Sequence, residues 1–162
     1  MAVVESSFLV RAPLDAVWAF HNDPRALPKI MPALFGLKIE GHDQPMRAGS
    51  RVNISMGVGP LRRGWALQVI AHEPPHRFVD EQLPGQGPFK RWHHTHLFEP
   101  ASDATRIIDR IEYELPFGAL GRLAAALAGP LMMKLTFASR QAATRKALEP
   151  AARSGSATGV SV

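Results

Sequence analysis

From residue 35 to residue 115 apolar and polar side chains alternate at a period of two. After Pro116 the apolar residues recur every three to four positions instead. The first rhythm puts successive side chains on opposite faces of a strand, and the second makes a stripe along a helix. The chain therefore divides into a β-rich middle and a helical end. Ahead of the alternating region, residues 3–10 read as a strand with Phe8 and Val10 on one face. Ala12-Pro13 opens a helix carrying Leu14, Val17 and Trp18, and Asn22-Asp23-Pro24 stops it. A second short helix covers residues 25–30 and ends before Pro32.

Within the alternating region, strands are predicted over residues 35–41, 49–58, 63–72, 77–83 and 105–115, with another between Gly87 and Pro100. Gly and Pro clusters separate them, such as Gly57-Val58-Gly59-Pro60 and Glu73-Pro74-Pro75-His76. Sequential strands on short turns make an antiparallel meander. The segment before Pro100 puts Trp92, His94, His96 and Phe98 on one face and Arg91, His93, Thr95 and Leu97 on the other. Large aromatics bound the first face, so it is expected to point inward. Asp80 shares a face with Phe78, and Asp109 shares one with Ile107, Ile111 and Tyr113. Two imidazoles and two carboxylates then fall on the inner faces of three strands. A buried polar group without a partner costs about 1–3 kcal/mol. These four residues must satisfy one another or line a cavity.

The end of the chain predicts one helix over residues 119–148. Its inner stripe is expected to be Leu120, Leu123, Leu127, Leu131, Leu135, Ala138 and Ala142, with a kink at Gly129-Pro130. Pro150 is expected to stop it. Residues 1–149 then form one domain, and residues 150–162, small and polar, a disordered tail.

Composition narrows the functional classes. The 162 residues are enough for one domain with a core, and 46% are apolar. The net charge is +5, but the basic residues are scattered and form no run, so no nucleic-acid partner is expected. The absence of cysteine removes disulfides, thiolate nucleophiles and Cys-ligated zinc. No apolar run reaches spanning length and no signal peptide opens the chain, so stable membrane insertion is not expected and a cytoplasmic location is.

Three chemistries suit the four polar residues. His94 and His96 at i, i+2, with Asp80 or Asp109, could hold a metal, given further ligands. A His–carboxylate pair could move a proton next to a carbonyl, with Tyr113 holding the oxygen. The candidate catalytic set is then His94, His96, Asp109 and Tyr113. The third reading is a polar patch in an apolar ligand cavity.

The strings Phe78-Val79-Asp80, Gly87-Pro88-Phe89-Lys90-Arg91-Trp92-His93-His94-Thr95-His96-Leu97-Phe98, Asp109-Arg110-Ile111-Glu112-Tyr113-Glu114-Leu115-Pro116-Phe117-Gly118 and Phe137-Ala138-Ser139-Arg140 resemble ligand-binding SRPBCC domain proteins. These form part of the START-like superfamily, near its polyketide cyclase/dehydrase and lipid-transport group. The resemblance spans roughly residues 1–148. It implies an α+β helix-grip fold: a curved antiparallel sheet of six to seven strands around a long C-terminal helix, with two short helices after the first strand. It implies non-covalent binding of a small hydrophobic molecule, lipid or polyketide-like, between sheet and helix. The ligand-contacting set is then Trp65, Phe78, Asp80, Trp92, His94, His96, Asp109, Tyr113, Leu127 and Leu131. A metal is not a usual feature of this family, so no metal and no other cofactor is expected. The alternatives are a cyclase or dehydratase using the His–Asp pair, and a regulatory protein acting through a protein partner.

Overall fold

The computed structural model describes residues 1–127 and 129–155. Its strands are β1 (Ala2–Val10), β2 (Lys38–His42), β3 (Arg51–Met56), β4 (Arg63–Glu73), β5 (Arg77–Gln82), β6 (Arg91–Ala101) and β7 (Ala104–Glu114). They form one antiparallel sheet in the spatial order β1-β7-β6-β5-β4-β3-β2. Hairpins account for every neighbour except the first pair. There β1 runs beside β7, from Ala2↔Tyr113 to Val10↔Thr105. The chain leaves β1 at one edge and resumes as β2 at the other. The crossing is made by α1 (Leu14–His21), a turn at Pro24–Ala26 and α2 (Leu27–Ile30). Asp23 caps that turn by accepting from the Arg25 amide at 3.0 Å. Bulges between Ile39 and Gly41, and between Val69 and Ala71, add local bend to a curved sheet. This is the helix-grip fold.

The strand expected from residue 35 starts at Lys38, because Ala33–Phe35 form a tight helical turn. Gly36 ends that turn at φ 53°, and a Cβ there would stand 2.7 Å from the Gly57 carbonyl oxygen. Only glycine fits both demands. The alternation in β6 holds as expected: Trp92, His94, His96 and Phe98 are all buried. Trp92 belongs to one apolar cluster, with Trp65, Tyr113 and Phe137. Phe98 belongs to a second, with Phe8, Val17, Phe78 and Leu148. The two histidines lie between these clusters along the strand.

The helical end differs from expectation. Its described residues are helical over Gly118–Leu127, labelled α3, and Gly129–Gly155, labelled α4. The predicted inner stripe is outside: Leu120, Leu123, Leu127, Leu131 and Leu135 are all exposed, Leu127 by 75% and Leu131 by 63%. Phe137, Arg140, Thr144 and Leu148 face inward instead. That set also recurs at three- and four-residue steps, so the period alone could not choose between the faces. Gly121 carries the approach of α3 to the end of β7, since a side chain there would meet the Pro116 carbonyl. Helix α4 also passes the stop expected at Pro150 and runs to Gly155. Proline crowds the turn before it and removes one donor, but leaves the following turns free to form. The rest of the expected tail, residues 156–162, lies outside the described residues. Among the described residues, no helix is long and apolar enough to cross a membrane.

Candidate functional site

A cavity of about 380 Å³ lies between the inner face of the sheet and α4. Its walls are apolar, with Ile54, Trp65, Leu67 and Trp92 from the strands and Met133 and Phe137 from α4. Asp80, His94, His96 and Arg140 give it one polar end.

Strand register builds that end. Asp80 sits opposite His94 across β5 and β6, and Asp109 sits opposite His96 across β6 and β7. The hydrogen bonds run diagonally. His96 Nε2 lies 3.1 Å from Asp80 Oδ2, and His94 Nε2 lies 3.0 Å from Asp109 Oδ1. Diagonal neighbours on one sheet face are within reach of such long side chains. His96 Nδ1 also stands 2.9 Å from Asp109 Oδ1. Arg140 comes down from α4 and puts Nη2 3.4 Å from the same oxygen. Trp92 donates its indole N–H to Asp80 Oδ1 at 3.3 Å. The rings are packed as well as bonded. Phe78 stacks on His96 at 4.0 Å, and the two imidazoles lie 3.7 Å apart.

These distances assign the protons. A nitrogen lone pair facing a carboxylate at 3 Å would be repelled, so His94 and His96 each carry hydrogen on Nε2, and at His96 Nδ1 the Asp109 carboxylate at 2.9 Å, nearer than the Arg140 Nη2 donor at 3.4 Å, favours a second hydrogen. His94 Nδ1 is left unprotonated, 3.9 Å from Asp80 Oδ2. Electrostatics agree. Burial, together with the neighbouring His96, pushes the His94 pKa down to about 4. Burial acts on His96 in the same direction, but Asp109 and Asp80 outweigh it and raise its pKa. Burial alone would raise both carboxyls. Contacts with His96 and His94 lower Asp80 all the same, and Arg140 with the two histidines holds Asp109 well below its usual range. Two carboxylates thus face one imidazolium and one guanidinium, and the buried charges balance. His21 also lines the cavity. Burial, then Arg140, hold its pKa well below the ordinary value.

Of the residues singled out in the sequence, Trp65, Phe78, Asp80, Trp92, His94 and His96 do line the cavity. Asp109 is fully buried behind the histidines. Tyr113 does not join them. It pairs with Trp92, and its hydroxyl abuts Gly129, where a side chain would collide with it. Leu127 and Leu131 are on the outer surface, for the reason of helix phase given above. Arg140, which also lines the cavity, is not among the site residues expected from the sequence, although it ends a Phe137–Arg140 step on the inner face. His21, one turn after Val17 on α1, was likewise not assigned to the cavity.

Other proteins share this architecture. A Thermus thermophilus protein of known structure is similar at 19% identity and a TM-score of 0.69, over 90% of this chain and 95% of its own. A Chromobacterium violaceum protein is similar at 18% identity and a TM-score of 0.70, over 93% and 99%. The di-domain aromatase/cyclase StfQ of the steffimycin biosynthetic pathway is similar at 12% identity and a TM-score of 0.71, over 94% of this chain and 51% of StfQ. At these identities the likeness speaks for the fold. Among curated proteins nothing matches. The family described as polyketide cyclase / dehydrase and lipid transport matches residues 10–143, which takes in the whole of β2–β7, both walls of the cavity and its polar end. With most of the chain so matched, this protein belongs to the polyketide cyclase/dehydrase and lipid-transport family.

Proposed function

We propose that the domain binds one small, largely apolar molecule non-covalently, with a polar group of that molecule seated on the Asp80–His94–His96–Arg140 end. The observation that carries this reading is the cavity itself. About 380 Å³ is within the usual range for small-molecule sites, and apolar walls with a few convergent polar groups are their usual chemistry. A molecule of fused rings or a short acyl chain with one oxygenated end matches that distribution. The family supports ligand binding of this kind. Acid–base catalysis has less support. His94, held to about 4, is a weak base at neutral pH, and Tyr113 stands outside the cavity.

The test uses the fluorescent probe 1-anilinonaphthalene-8-sulfonate on the metal-free full chain. Saturable binding is expected, with a change in Trp65 and Trp92 emission, because both indoles stand in the cavity wall. Thr136→Phe adds a ring to that wall and should weaken binding about tenfold, which is roughly 1.4 kcal/mol. Leu131→Gln on the outer surface should leave it unchanged. If Leu131→Gln abolishes binding and Thr136→Phe does not, the probe is on the exposed leucines and the cavity reading fails. Native mass spectrometry of the purified protein adds a probe-free check, where a co-purified organic mass is the expected result.

A further inference from the structure

We propose that Asp80, His94 and His96 form a site for one first-row divalent transition-metal ion of the Zn2+, Co2+ or Fe2+ type, open toward the cavity. One potential ligand atom from each of the three residues lies within 4.8 Å of the other two. The ring nitrogens facing Asp80 Oδ2 are His96 Nε2 at 3.1 Å and His94 Nδ1 at 3.9 Å. Ligands around one ion with bonds of about 2.0–2.1 Å stand roughly 3–3.4 Å apart. The first pair is already there, and a small swing of the His94 ring closes the second.

The second layer of contacts is more telling than the first. A histidine that binds a metal through one nitrogen usually donates the other N–H to a carboxylate, which fixes the ring and its tautomer. Asp109 accepts from His94 in this way and faces His96 Nδ1 as well, a nitrogen that Arg140 Nη2 approaches at 3.4 Å. Its Oδ1 is 3.0 Å from His94 Nε2 and 2.9 Å from His96 Nδ1. Those are the two nitrogens that do not face Asp80. Arg140, 3.4 Å from the same oxygen, balances the Asp109 charge, so Asp109 is free to orient the rings without becoming a ligand itself. The arrangement is held by three neighbouring strands, β5, β6 and β7, and not by loops.

Donor chemistry names the class of ion. Two imidazoles and one carboxylate suit zinc, cobalt and ferrous iron, whereas Mg2+ and Ca2+ want oxygen. Three protein ligands leave positions open, and the cavity is where they face. Binding displaces the proton that His96 Nε2 otherwise donates to Asp80, and that proton goes to solvent. The dication then leaves one surplus positive charge among Asp80, Asp109 and Arg140. An anionic oxygen entering from the cavity would neutralise it. The site does not depend on the small-molecule reading, since the ion is held by protein groups alone.

The experiment strips the full-length protein with a chelator and titrates it with CoCl2, following the visible ligand-field absorption of bound Co2+. Saturation at one equivalent is expected, with displacement by Zn2+ and no effect of Mg2+. His94→Ala and Asp80→Asn should each abolish the spectrum. His93→Ala should keep it, because that ring points to the other face and pairs with Glu81 at 2.7 Å. Asp109→Asn should weaken affinity about 10–100-fold. Where a variant fails to fold, imidazole nitrogen NMR of the unmodified protein decides. Zn2+ should shift His94 Nδ1 and His96 Nε2 and leave the other two nitrogens of those rings protonated. No Co2+ spectrum, or one that survives both His94→Ala and Asp80→Asn, overturns the site. The anilinonaphthalene titration is done without metal, so either proposal can fail alone.

Discussion

Asp109 is the residue on which the buried polar cluster depends. It is wholly inaccessible to water, and its Oδ1 meets His94, His96 and Arg140. Removing one partner of a buried charge pair typically costs about 3–5 kcal/mol, because the survivor is left in a low-dielectric interior without compensation. Asp109→Ala should therefore destabilise the protein by about that much, with Arg140 as the stranded charge. Arg140→Met should cost a similar amount by stranding Asp109. In the double variant Asp109→Leu/Arg140→Leu the remaining buried ions are Asp80 and His96, which still offset each other. Its cost should be well below the sum of the two single variants. Urea midpoints at constant m-value measure all three. Strict additivity, or single costs under about 1 kcal/mol, would mean that water reaches this cluster and that its charges do not depend on one another.

At the scale of elements the informative case is α4. Phe137 is 5% exposed and packs with Trp65, Trp92 and Tyr113, so Phe137→Ala should cost about 3–5 kcal/mol. Leu131→Gln and Leu135→Gln, on the exposed side, should change folding stability by no more than about 0.5 kcal/mol each. Thermal or urea unfolding of the three variants settles the phase of the helix. Large losses at Leu131 and Leu135 would restore the leucine stripe as the inner face. The contrast with β6 shows what a sequence can carry. Trp92, His94, His96 and Phe98 were readable as one inner face because a strand offers only two faces, and the aromatics mark which is buried. Asp80 and Asp109 followed from the same rule on the flanking strands. Along α3 and α4 two stripes compete, Leu120–Leu135 and Phe137–Leu148, and both repeat at helical spacing. The choice depends on Asp109, a partner distant in sequence, which holds Arg140 inside. Tyr113 shows a related limit. Its parity was right and it is buried, but its place along β7 puts it against Gly129 and outside the cavity. Parity fixes the face of a residue and says nothing of which pocket it reaches.

For the whole molecule, the buried histidines set the response to acid. In the metal-free protein His94 is held from its ordinary 6.5 down to about 4, and His21 is held well below 6.5. Both are neutral when folded and take up protons when unfolded. Between about pH 6.5 and 4 the unfolded state therefore binds more protons, and stability falls as pH falls through that window. His94 alone contributes on the order of 3 kcal/mol across it. Asp80 and Asp109, both depressed, add a second loss as pH drops below about 3.8 toward their folded values. His96 acts in the opposite sense. Its raised pKa gives stability that is complete below 6.5 and is lost as pH rises through the folded value. The protein should be most stable near neutral pH, with its acid limb beginning close to 6.5 and not near 4, where exposed carboxylates titrate. Urea midpoints from pH 8 to pH 4 trace this directly. His94→Gln, which keeps polar atoms in place without a titrating ring, should flatten the limb between pH 6.5 and 4 and leave the steeper fall below it. A midpoint that stays level from pH 7 to pH 5 in the parent protein would mean that these rings are protonated in the fold, and the assignment of a neutral His94 would have to be given up.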